Sequence, residues 1–343
     1  MSENEKTAAG VYIIAEIGNT HEGSIGLAKQ FIKAASACGV DAVKMQTHIF
    51  EAESLLGAPN PPYFTDETRA EYFKRTAFTL QEWKELKRYS EEVLNVDFFS
   101  SPFSLEAVDM LEEVGIKTYK IASGEVSNTP LLERVARTRK KVLLSSGMSS
   151  WDDLDRAVEA LQSSGCTDLT VLQCTSEYPC PPERSGLNVL AEMRARYKGI
   201  QVGYSDHTLG VAISIAAVSM GATVIEKHFT LSNQMYGSDA MNSIEPREFK
   251  RLVKEIRDVE IALLNRVDKD EKGTEIQNMK MTFEKSIVSA ENIPMNTRIE
   301  SQMLAYKKPG NGIPANKYEE IIGKIVNKGV TKDHKFEWTD FKA

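Results

Sequence analysis

Short apolar runs recur along the first two-thirds of the chain, and each is followed by a longer segment with helical periodicity. Every run is four to seven residues of nearly continuous apolar, β-branched or aromatic side chains. Such runs are typical of strands buried on both faces, as in a parallel sheet. The eight predicted strands are VYIIAEI (11–17), DAVKMQT (41–47), VDFFSSP (96–102), TYKIAS (118–123), KVLLSSG (141–147), LTVLQCT (169–175), IQVGYSD (200–206) and TVIEKHF (223–229).

Amphipathic segments between these runs predict eight helices, in strict alternation with the strands. The first, 25–39, ends on Gly39, which suits the position just beyond a helix. The last, 245–264, has Pro246 in its first turn. Eight such units over about 255 residues predict a (β/α)8 TIM barrel. A doubly wound sheet is the alternative, which the lack of a GxGxxG motif after the first strand disfavours. The long aromatic loop 48–78 is typical of a lid.

The pattern changes after the last predicted helix. Residues 266–285 are charged and poorly periodic, which indicates a linker. Residues 286–343 alternate short apolar runs with turns and predict a small β-rich domain. A domain of about 60 residues is marginal alone, so we expect it to dock onto a partner surface. The predicted organisation is a catalytic barrel over 1–265, a linker over 266–285 and the small domain over 286–343.

Composition narrows the function classes. The net charge of −7 argues against binding to nucleic acid or a membrane surface, since no basic excess is available to neutralise phosphates. The chain lacks the ~18-residue apolar run of a membrane-spanning helix. Its polar start, MSENEKTAAG, lacks a signal-peptide core. The four cysteines are expected to be reduced thiols in a cytoplasmic protein.

Polar residues occur at the carboxyl end of every predicted strand, where barrel enzymes carry their chemistry. Lys44 and Lys120 interrupt apolar runs, and an unpaired buried charge would be costly there. Lysines and serine hydroxyls together favour a pocket for an anion with phosphate and carboxylate groups. A structural ion pair or an outward-facing side chain is the alternative for each lysine. The polar strand-end residues include Glu16, Gln46, Ser101, Ser123, Glu125, Ser145, Ser176, Tyr178, Ser205, Asp206 and Glu226.

Two of the five histidines follow consecutive strands, His207 in GYSDHTLG and His228 in IEKHFTL. Adjacent strand ends bring them together near the carboxylates Glu16 and Asp206, with Asp206 as an orienting partner. Two imidazoles there can hold a divalent metal with open positions for water and substrate. A hydrogen-bonded core histidine is the alternative for either one alone. His48 starts the long loop and is expected at the surface.

The motifs, taken in order, resemble the sialic acid synthase family. They are IIAEIGNTHEGS, VKMQTHI, SSPFS, YKIASGE, LSSGM, QCTSEYP, GYSDHTLG and IEKHFTL. The C-terminal KKPGNGI and IIGK are similar to that family's antifreeze-like (SAF) domain. The resemblance implies condensation of phosphoenolpyruvate with an N-acylated mannosamine-type sugar, giving a nine-carbon 2-keto-3-deoxy acid and phosphate. It also implies a domain-swapped homodimer and a divalent metal, commonly manganese, with magnesium or cobalt as alternatives.

Roles follow from the resemblance position by position. It implies a metal pair, His207 and His228, and catalytic roles for Glu16, Glu125 and His228. The implied substrate-binding residues are Lys44, Gln46, Ser101, Lys120, Ser123, Ser145, Ser176, Tyr178, Ser205, Asp239 and Lys308.

Three positions depart from the family pattern, and all bear on the sugar. Ser176 replaces an asparagine, and Ala240 replaces a histidine after Asp239. Lys308 replaces an arginine that reaches across the family's dimer towards the N-acyl group, and it lacks the bidentate fork. The acceptor therefore stays open between N-acetylmannosamine and a 2,4-diacetamido-trideoxyhexose, the precursor of legionaminate or pseudaminate.

Two other functions compete with the synthase. A Schiff-base aldolase would use Lys44 or Lys120 as its nucleophile. A sugar-binding or ice-binding protein built on the small domain would need no lysines at the strand ends.

Overall fold

The computed structural model describes residues 10–60, 67–237, 239–270, 273 and 276–342. Residues 1–9, within the polar start of the chain, and part of the predicted lid, 61–66, lie outside the described residues. The described part of the chain divides after Leu264 into two compact units. None of its described helices is long and apolar enough to cross a membrane.

The first unit is a closed barrel of eight parallel strands, which confirms the predicted (β/α)8 fold. Each strand pairs with the next along the chain, and β1 closes the barrel against β8. The strands are β1 (Tyr12–Gly18), β2 (Ala42–Thr47), β3 (Asp97–Pro102), β4 (Thr118–Ile121), β5 (Lys141–Ser145), β6 (Leu169–Cys174), β7 (Gln201–Asp206) and β8 (Val224–His228).

Helices cover the outside of the barrel, packed on the outward-facing strand residues. Ser24 caps the first helix, and Thr79 with Glu82 forms a capping box on the fourth. The helices of this unit are α1 (Ile25–Ala37), α2 (Phe50–Glu53), α3 (Arg69–Thr76), α4 (Leu80–Arg88), α5 (Leu105–Val114), α6 (Thr129–Ala136), α7 (Trp151–Ser163), α8 (Leu187–Arg196), α9 (Ala212–Ser219) and α10 (Pro246–Leu264). A π-helical turn, Tyr89–Val93, extends α4.

The barrel interior is filled at its lower levels by apolar side chains. Gly203 lies among them, where a Cβ atom would come within 2.5 Å of the Leu172 side chain and 2.7 Å of the Val224 carbonyl oxygen. The interior at this level is therefore a packed plug, and the carboxyl end of the barrel is where a ligand is expected to bind. The interior apolar cluster is Ile14, Ala42, Phe99, Leu143, Leu172 and Val224.

The second unit has a hydrophobic core of its own, which includes Ile287, Leu304 and Phe336. Its one described sheet pairs β9 (Ser286–Ser289) with β10 (Leu304–Lys307) in antiparallel fashion. Its helices are α11 (Gln277–Phe283) and α12 (Tyr318–Ile321). The predicted linker, 266–285, contains α11, and its residues 271, 272, 274 and 275 lie outside the described residues.

Candidate active site

Towards the carboxyl ends of the strands, the barrel interior changes from an apolar plug to a ring of mostly polar side chains. Successive side chains of a strand point to opposite faces, so the residue two positions beyond each plug residue also points inward. Six such positions line one cavity of about 860 Å³ at the carboxyl end. They are Glu16, Lys44, Ser101, Ser145, Cys174 and Glu226.

Every predicted site residue of the barrel lines this cavity. Lys308, the remaining predicted residue, belongs to the second unit, where its ammonium nitrogen lies 5.0 Å from the centre of the Phe283 ring. The predicted residues on the lining are Glu16, Lys44, Gln46, Ser101, Lys120, Ser123, Glu125, Ser145, Ser176, Tyr178, Ser205, His207, His228 and Asp239.

Two lysines meet one carboxylate on the floor of the cavity. Lys120 Nζ lies 2.8 Å and Lys44 Nζ 3.6 Å from the same Glu226 oxygen. Lys44 also contacts Glu16 at 3.0 Å and donates to Ser101 Oγ at 3.2 Å. The four charged side chains are at most 5% exposed. Both lysines therefore face inward and are paired, so their positive charge is concentrated where water is excluded.

The two carboxyl groups differ in electrostatic environment. Burial would raise the pKa of Glu226, but the ammonium groups of Lys120 and Lys44 outweigh it and lower that pKa to about 2. Burial raises the pKa of Glu16 to about 7, with Lys44 opposing the shift and the negative charge of Glu226 adding to it. Glu226 is thus a fixed anion, whereas Glu16 can exchange a proton near neutral pH.

The pKa values of the two lysines are also shifted, in opposite directions. Burial lowers the pKa of Lys120, and the positive charge of Lys44 adds to this. Burial acts the same way on Lys44, but the attraction of Glu16 and Glu226 prevails and raises its pKa. Lys44 is therefore the more firmly protonated of the two.

The two predicted metal ligands lie side by side at the mouth of the cavity. The ring centres of His207 and His228 are 5.3 Å apart, and the Tyr178 ring lies 4.1 Å from that of His207. His207 Nδ1 lies 2.8 Å from the carbonyl oxygen of Thr175. A carbonyl can only accept, so Nδ1 carries a proton, and in the neutral form of the ring the lone pair is on Nε2.

His228 has the properties of a neutral ligand. Burial, together with the nearby His207 and Lys44, lowers its pKa well below the ordinary value. Its Nδ1 is buried and has no hydrogen-bond partner among the described residues. A neutral imidazole with an unused ring nitrogen suits a divalent metal. The described residues contain no group of three or more His, Cys, Asp and Glu suited to a metal, so water and substrate would have to complete the coordination.

The expected position of Asp206 beside the histidines is wrong. Because Ser205 faces the interior, its neighbour Asp206 faces outward, as does Lys227 on β8. Asp206 Oδ2 pairs with Lys227 Nζ at 2.9 Å, and Oδ1 accepts from the backbone and hydroxyl of Thr208. Asp206 therefore joins β7 to β8 outside the barrel and faces away from the cavity that His207 and His228 line.

Hydroxyl groups at the rim of the cavity crowd around Gly147. A Cβ atom there would lie 2.3 Å from Ser176 Oγ and 2.6 Å from Ser123 Oγ, so only glycine fits between the two hydroxyls. Glu125 accepts from Asn128 at 2.8 Å, and burial raises its pKa. The rim therefore offers hydroxyl groups and a carboxyl group that can be partly protonated.

Several further lining residues had no role in the sequence analysis, among them Glu226, His48, Glu53 and Arg69. Glu226 was recognised only as a strand-end residue, although its spacing of two from Val224 predicts an inward side chain. His48 is not at the surface: its side chain is 7% exposed and pairs with Glu53. Arg69 lines the cavity with its Nε buried and without a hydrogen-bond partner among the described residues. No local pattern distinguished these last three residues.

Comparison with known proteins decides the family. The NeuB family model matches residues 31–268, and the SAF domain model matches residues 284–342. The chain belongs to the NeuB family. This NeuB family member is 38% identical over 330 residues to N,N'-diacetyllegionaminic acid synthase of Campylobacter jejuni, covering 94% of this chain and 97% of that protein. It is 35% identical over 328 residues to human N-acetylneuraminate-9-phosphate synthase, covering 94% and 90%.

Solved structures agree with this placement of the NeuB family member. The N-acetylneuraminic acid synthetase of Leptospira borgpetersenii, solved with citrate, superposes with a TM-score of 0.69 at 31% identity. The match covers 79% of this chain and 92% of the other. The predicted family and the predicted barrel with a C-terminal SAF domain are thus both confirmed.

Proposed function

We propose that this protein condenses phosphoenolpyruvate with an N-acylated amino sugar of the mannosamine type. The products are a nine-carbon 2-keto-3-deoxy acid and phosphate. Family membership and the names of two relatives, a diacetyllegionaminic acid synthase and an N-acetylneuraminate-9-phosphate synthase, support this reaction class. The observation that carries the proposal is the meeting of Lys44 and Lys120 at one buried carboxylate inside the cavity.

Phosphoenolpyruvate is the ligand we assign to the cavity floor. It has a carboxylate and a phosphate, and two partly desolvated ammonium groups attract such an anion strongly. Ser205 donates to Glu226 at 3.0 Å and Lys120 does so at 2.8 Å, so both can transfer these bonds to an incoming anion. The remaining hydroxyl ligands in this proposal are Ser101, Ser123 and Ser145.

The proposal includes a divalent metal held by His207 and His228. Manganese is the first choice, with magnesium or cobalt as alternatives, because two imidazoles with open positions suit a metal that also takes oxygen ligands. When bound, it would polarise the aldehyde of the open-chain sugar as a Lewis acid. Tyr178 and Asp239 line the same part of the cavity and are assigned to the sugar.

The proposed condensation forms one carbon–carbon bond and breaks the bond between phosphoenolpyruvate and its phosphate. The enol carbon C3 forms a bond to the aldehyde carbon, whose oxygen takes up a proton, and positive charge develops at C2. Water adds to C2 and gives its proton to a carboxylate, for which Glu16 and Glu125 are the candidates. The tetrahedral intermediate then breaks the bond between C2 and the phosphate oxygen, and the C2 hydroxyl becomes the ketone as its proton leaves with the phosphate. Holding both substrates in one cavity supplies much of the rate, on the order of 7–11 kcal/mol in well-oriented systems.

The choice of sugar is the finer part of the proposal. N-acetylmannosamine is our first candidate and a 2,4-diacetamido-trideoxyhexose is the alternative, with Ser176, Ala240 and Lys308 as the positions that bear on it. Relatives named for both product types match this chain, including a pseudaminic acid synthase of Campylobacter jejuni at 29% identity over 344 residues.

The test is phosphate release from phosphoenolpyruvate with each candidate sugar and manganese. We expect release with one of the sugars, and loss of activity after EDTA treatment or in His207→Ala. Full activity in EDTA after exhaustive dialysis would eliminate the metal role. No release with any sugar would eliminate the synthase.

A Schiff-base aldolase is the second candidate, because burial lowers the pKa of Lys120 and so favours a free amine. Borohydride treatment in the presence of pyruvate separates the two reactions. The synthase gives no covalent adduct, whereas the aldolase gives a reduced adduct on Lys120.

We also propose that the protein acts in the cytoplasm as a domain-swapped homodimer. The small second unit, whose Lys308 we assign to the sugar, is the part exchanged in this proposal. Light scattering in solution should give twice the mass of the chain.

A further inference from the structure

A histidine outside the proposed metal pair is held more firmly than its place at the start of a loop predicts. The His48 ring lies between two phenyl rings, with centroid distances of 3.9 Å to Phe73 and 4.1 Å to Phe103. The interplanar angles are 14° and 17°, so both faces of the imidazole are covered. Only its two nitrogen edges remain for polar contacts.

Each edge meets an oxygen-bearing side chain. Nδ1 lies 2.9 and 3.0 Å from the two carboxylate oxygens of Glu53, the last residue of α2. Nε2 lies 3.1 Å from the amide oxygen of Gln46. The carboxylate can only accept, so Nδ1 donates to it and the ring is fixed in its plane, with Nε2 facing the Gln46 amide.

Gln46 connects His48 to Glu16 on the floor of the cavity. With its oxygen towards His48, its amide nitrogen donates to Glu16 Oε1 at 2.9 Å. The other Glu16 oxygen is 3.0 Å from Lys44 Nζ. The contact with His48 therefore holds the Gln46 side chain in place against Glu16.

We propose that His48, held by Glu53, Phe73 and Phe103, is a positioning residue that acts on Glu16 through the Gln46 amide. The inference rests on the proposed function for its kinetic consequence, but the hydrogen-bonded chain itself exists without substrate. His48 does not touch the reacting atoms in this account. It fixes the side chain that donates to Glu16 Oε1, and so fixes the orientation of the Glu16 carboxyl group in the cavity.

A kinetic cycle separates this role from simple packing. His48→Phe keeps the aromatic stack and removes both ring nitrogens. We expect kcat to fall about ten- to hundredfold, as for other residues that orient a functional group, with KM for phosphoenolpyruvate unchanged. In a Gln46→Leu background the same substitution should cause no further loss, whereas a packing role predicts the same loss in both backgrounds. Equal losses would overturn the proposal.

Glu53 gives an independent arm of the test. Glu53→Gln keeps an oxygen acceptor for Nδ1 and should retain most of kcat, while Glu53→Leu should match His48→Phe. Equal activity of the two Glu53 variants would contradict the proposal. The matched control is His21→Phe, because His21 is also buried and stacks on a phenyl ring, at 4.4 Å from Phe78. It should leave kcat unchanged.

A spectroscopic readout makes the inference independent of turnover. The chain has five histidines, so protein labelled with ¹⁵N-histidine gives a readable imidazole spectrum. Gln46→Leu should shift the His48 Nε2 resonance, and His21→Phe should leave it in place. An unshifted resonance in Gln46→Leu overturns the inference. If the wild-type protein releases no phosphate, the proposed function fails, and these spectra alone decide the claim about His48.

Discussion

Lys44 and Lys120 converge on Glu226 although they come from β2 and β4, which are not neighbours in the barrel. At the scale of single residues, this convergence defines the site. Each lysine is identifiable in the sequence as a charge inside an apolar run. Their shared partner is not, because it depends on the register of three separate strands. The sequence therefore predicts charged residues at this end of the barrel but not which of them pair.

Lys120→Met should weaken phosphoenolpyruvate binding. It removes one charge-assisted hydrogen bond, worth about 1.5–3 kcal/mol, so the dissociation constant should rise roughly ten- to hundredfold. Isothermal titration calorimetry measures it. The matched control is Lys141→Met, a lysine at the amino end of β5 that lies 5.1 Å from the centre of the Tyr12 ring. Equal affinities of the wild-type protein and Lys120→Met would remove Lys120 from the site.

Glu16 should make the free energy of unfolding depend on pH. Burial raises its pKa from 4.5 to about 7, so over this interval the folded protein holds a proton that the unfolded chain has released. Its contribution to stability is present at low pH and is lost as pH rises through this window. Glu16→Gln removes the effect, so the variant should gain stability relative to the wild-type protein as pH rises from about 5 to about 7. Urea unfolding in EDTA measures the difference, and a pH-independent difference would contradict it.

At the scale of elements, the barrel follows from the alternation of apolar runs and helices. The inward and outward assignment of each residue follows from the two-residue period of a strand. Asp206 shows where strand-end reasoning fails, because adjacency in sequence to Ser205 and His207 does not mean adjacency in space. Its true partner, Lys227, precedes the second histidine, so this outward pair ties together the two strands that carry His207 and His228.

Lys227→Met should destabilise the protein strongly. It leaves the Asp206 carboxylate buried without its cation, and loss of one partner of a buried pair costs about 3–5 kcal/mol. Urea unfolding gives the free energy directly. Lys254→Met breaks an exposed pair with Asp258 on α10 and should leave the free energy of unfolding nearly unchanged, because solvent screens such a pair. Similar results for the two variants would show that the Asp206–Lys227 pair does not hold β7 and β8 together.

At the scale of the whole molecule, the chain combines a barrel with a small unit that has its own core. The change in composition near residue 265 predicts this division, because apolar periodicity ends there. The role of Lys308 could not be predicted from the sequence alone. Its motif suggests a role at the sugar. In the proposed dimer that role depends on how two chains assemble, and local sequence patterns do not specify assembly.

Lys308→Ala should therefore act on the sugar alone. We expect KM for the sugar to rise about tenfold, the value of one hydrogen bond to a charged group, while KM for phosphoenolpyruvate is unchanged. Lys308→Arg should retain or improve sugar affinity, since it restores the bidentate fork. Steady-state kinetics with each substrate varied in turn measures both constants. A parallel rise in both constants would indicate general damage and contradict the assignment.

Isotope labelling tests the proposed condensation of phosphoenolpyruvate with the sugar. Phosphoenolpyruvate labelled with ¹⁸O at its bridging oxygen is incubated with the protein, manganese and each candidate sugar, and the products are weighed by mass spectrometry. We expect two products, a nine-carbon keto acid and phosphate. The phosphate should carry the label, because the bond between C2 and the bridging oxygen breaks. Unlabelled phosphate would contradict the mechanism, and the absence of any keto acid would contradict the function.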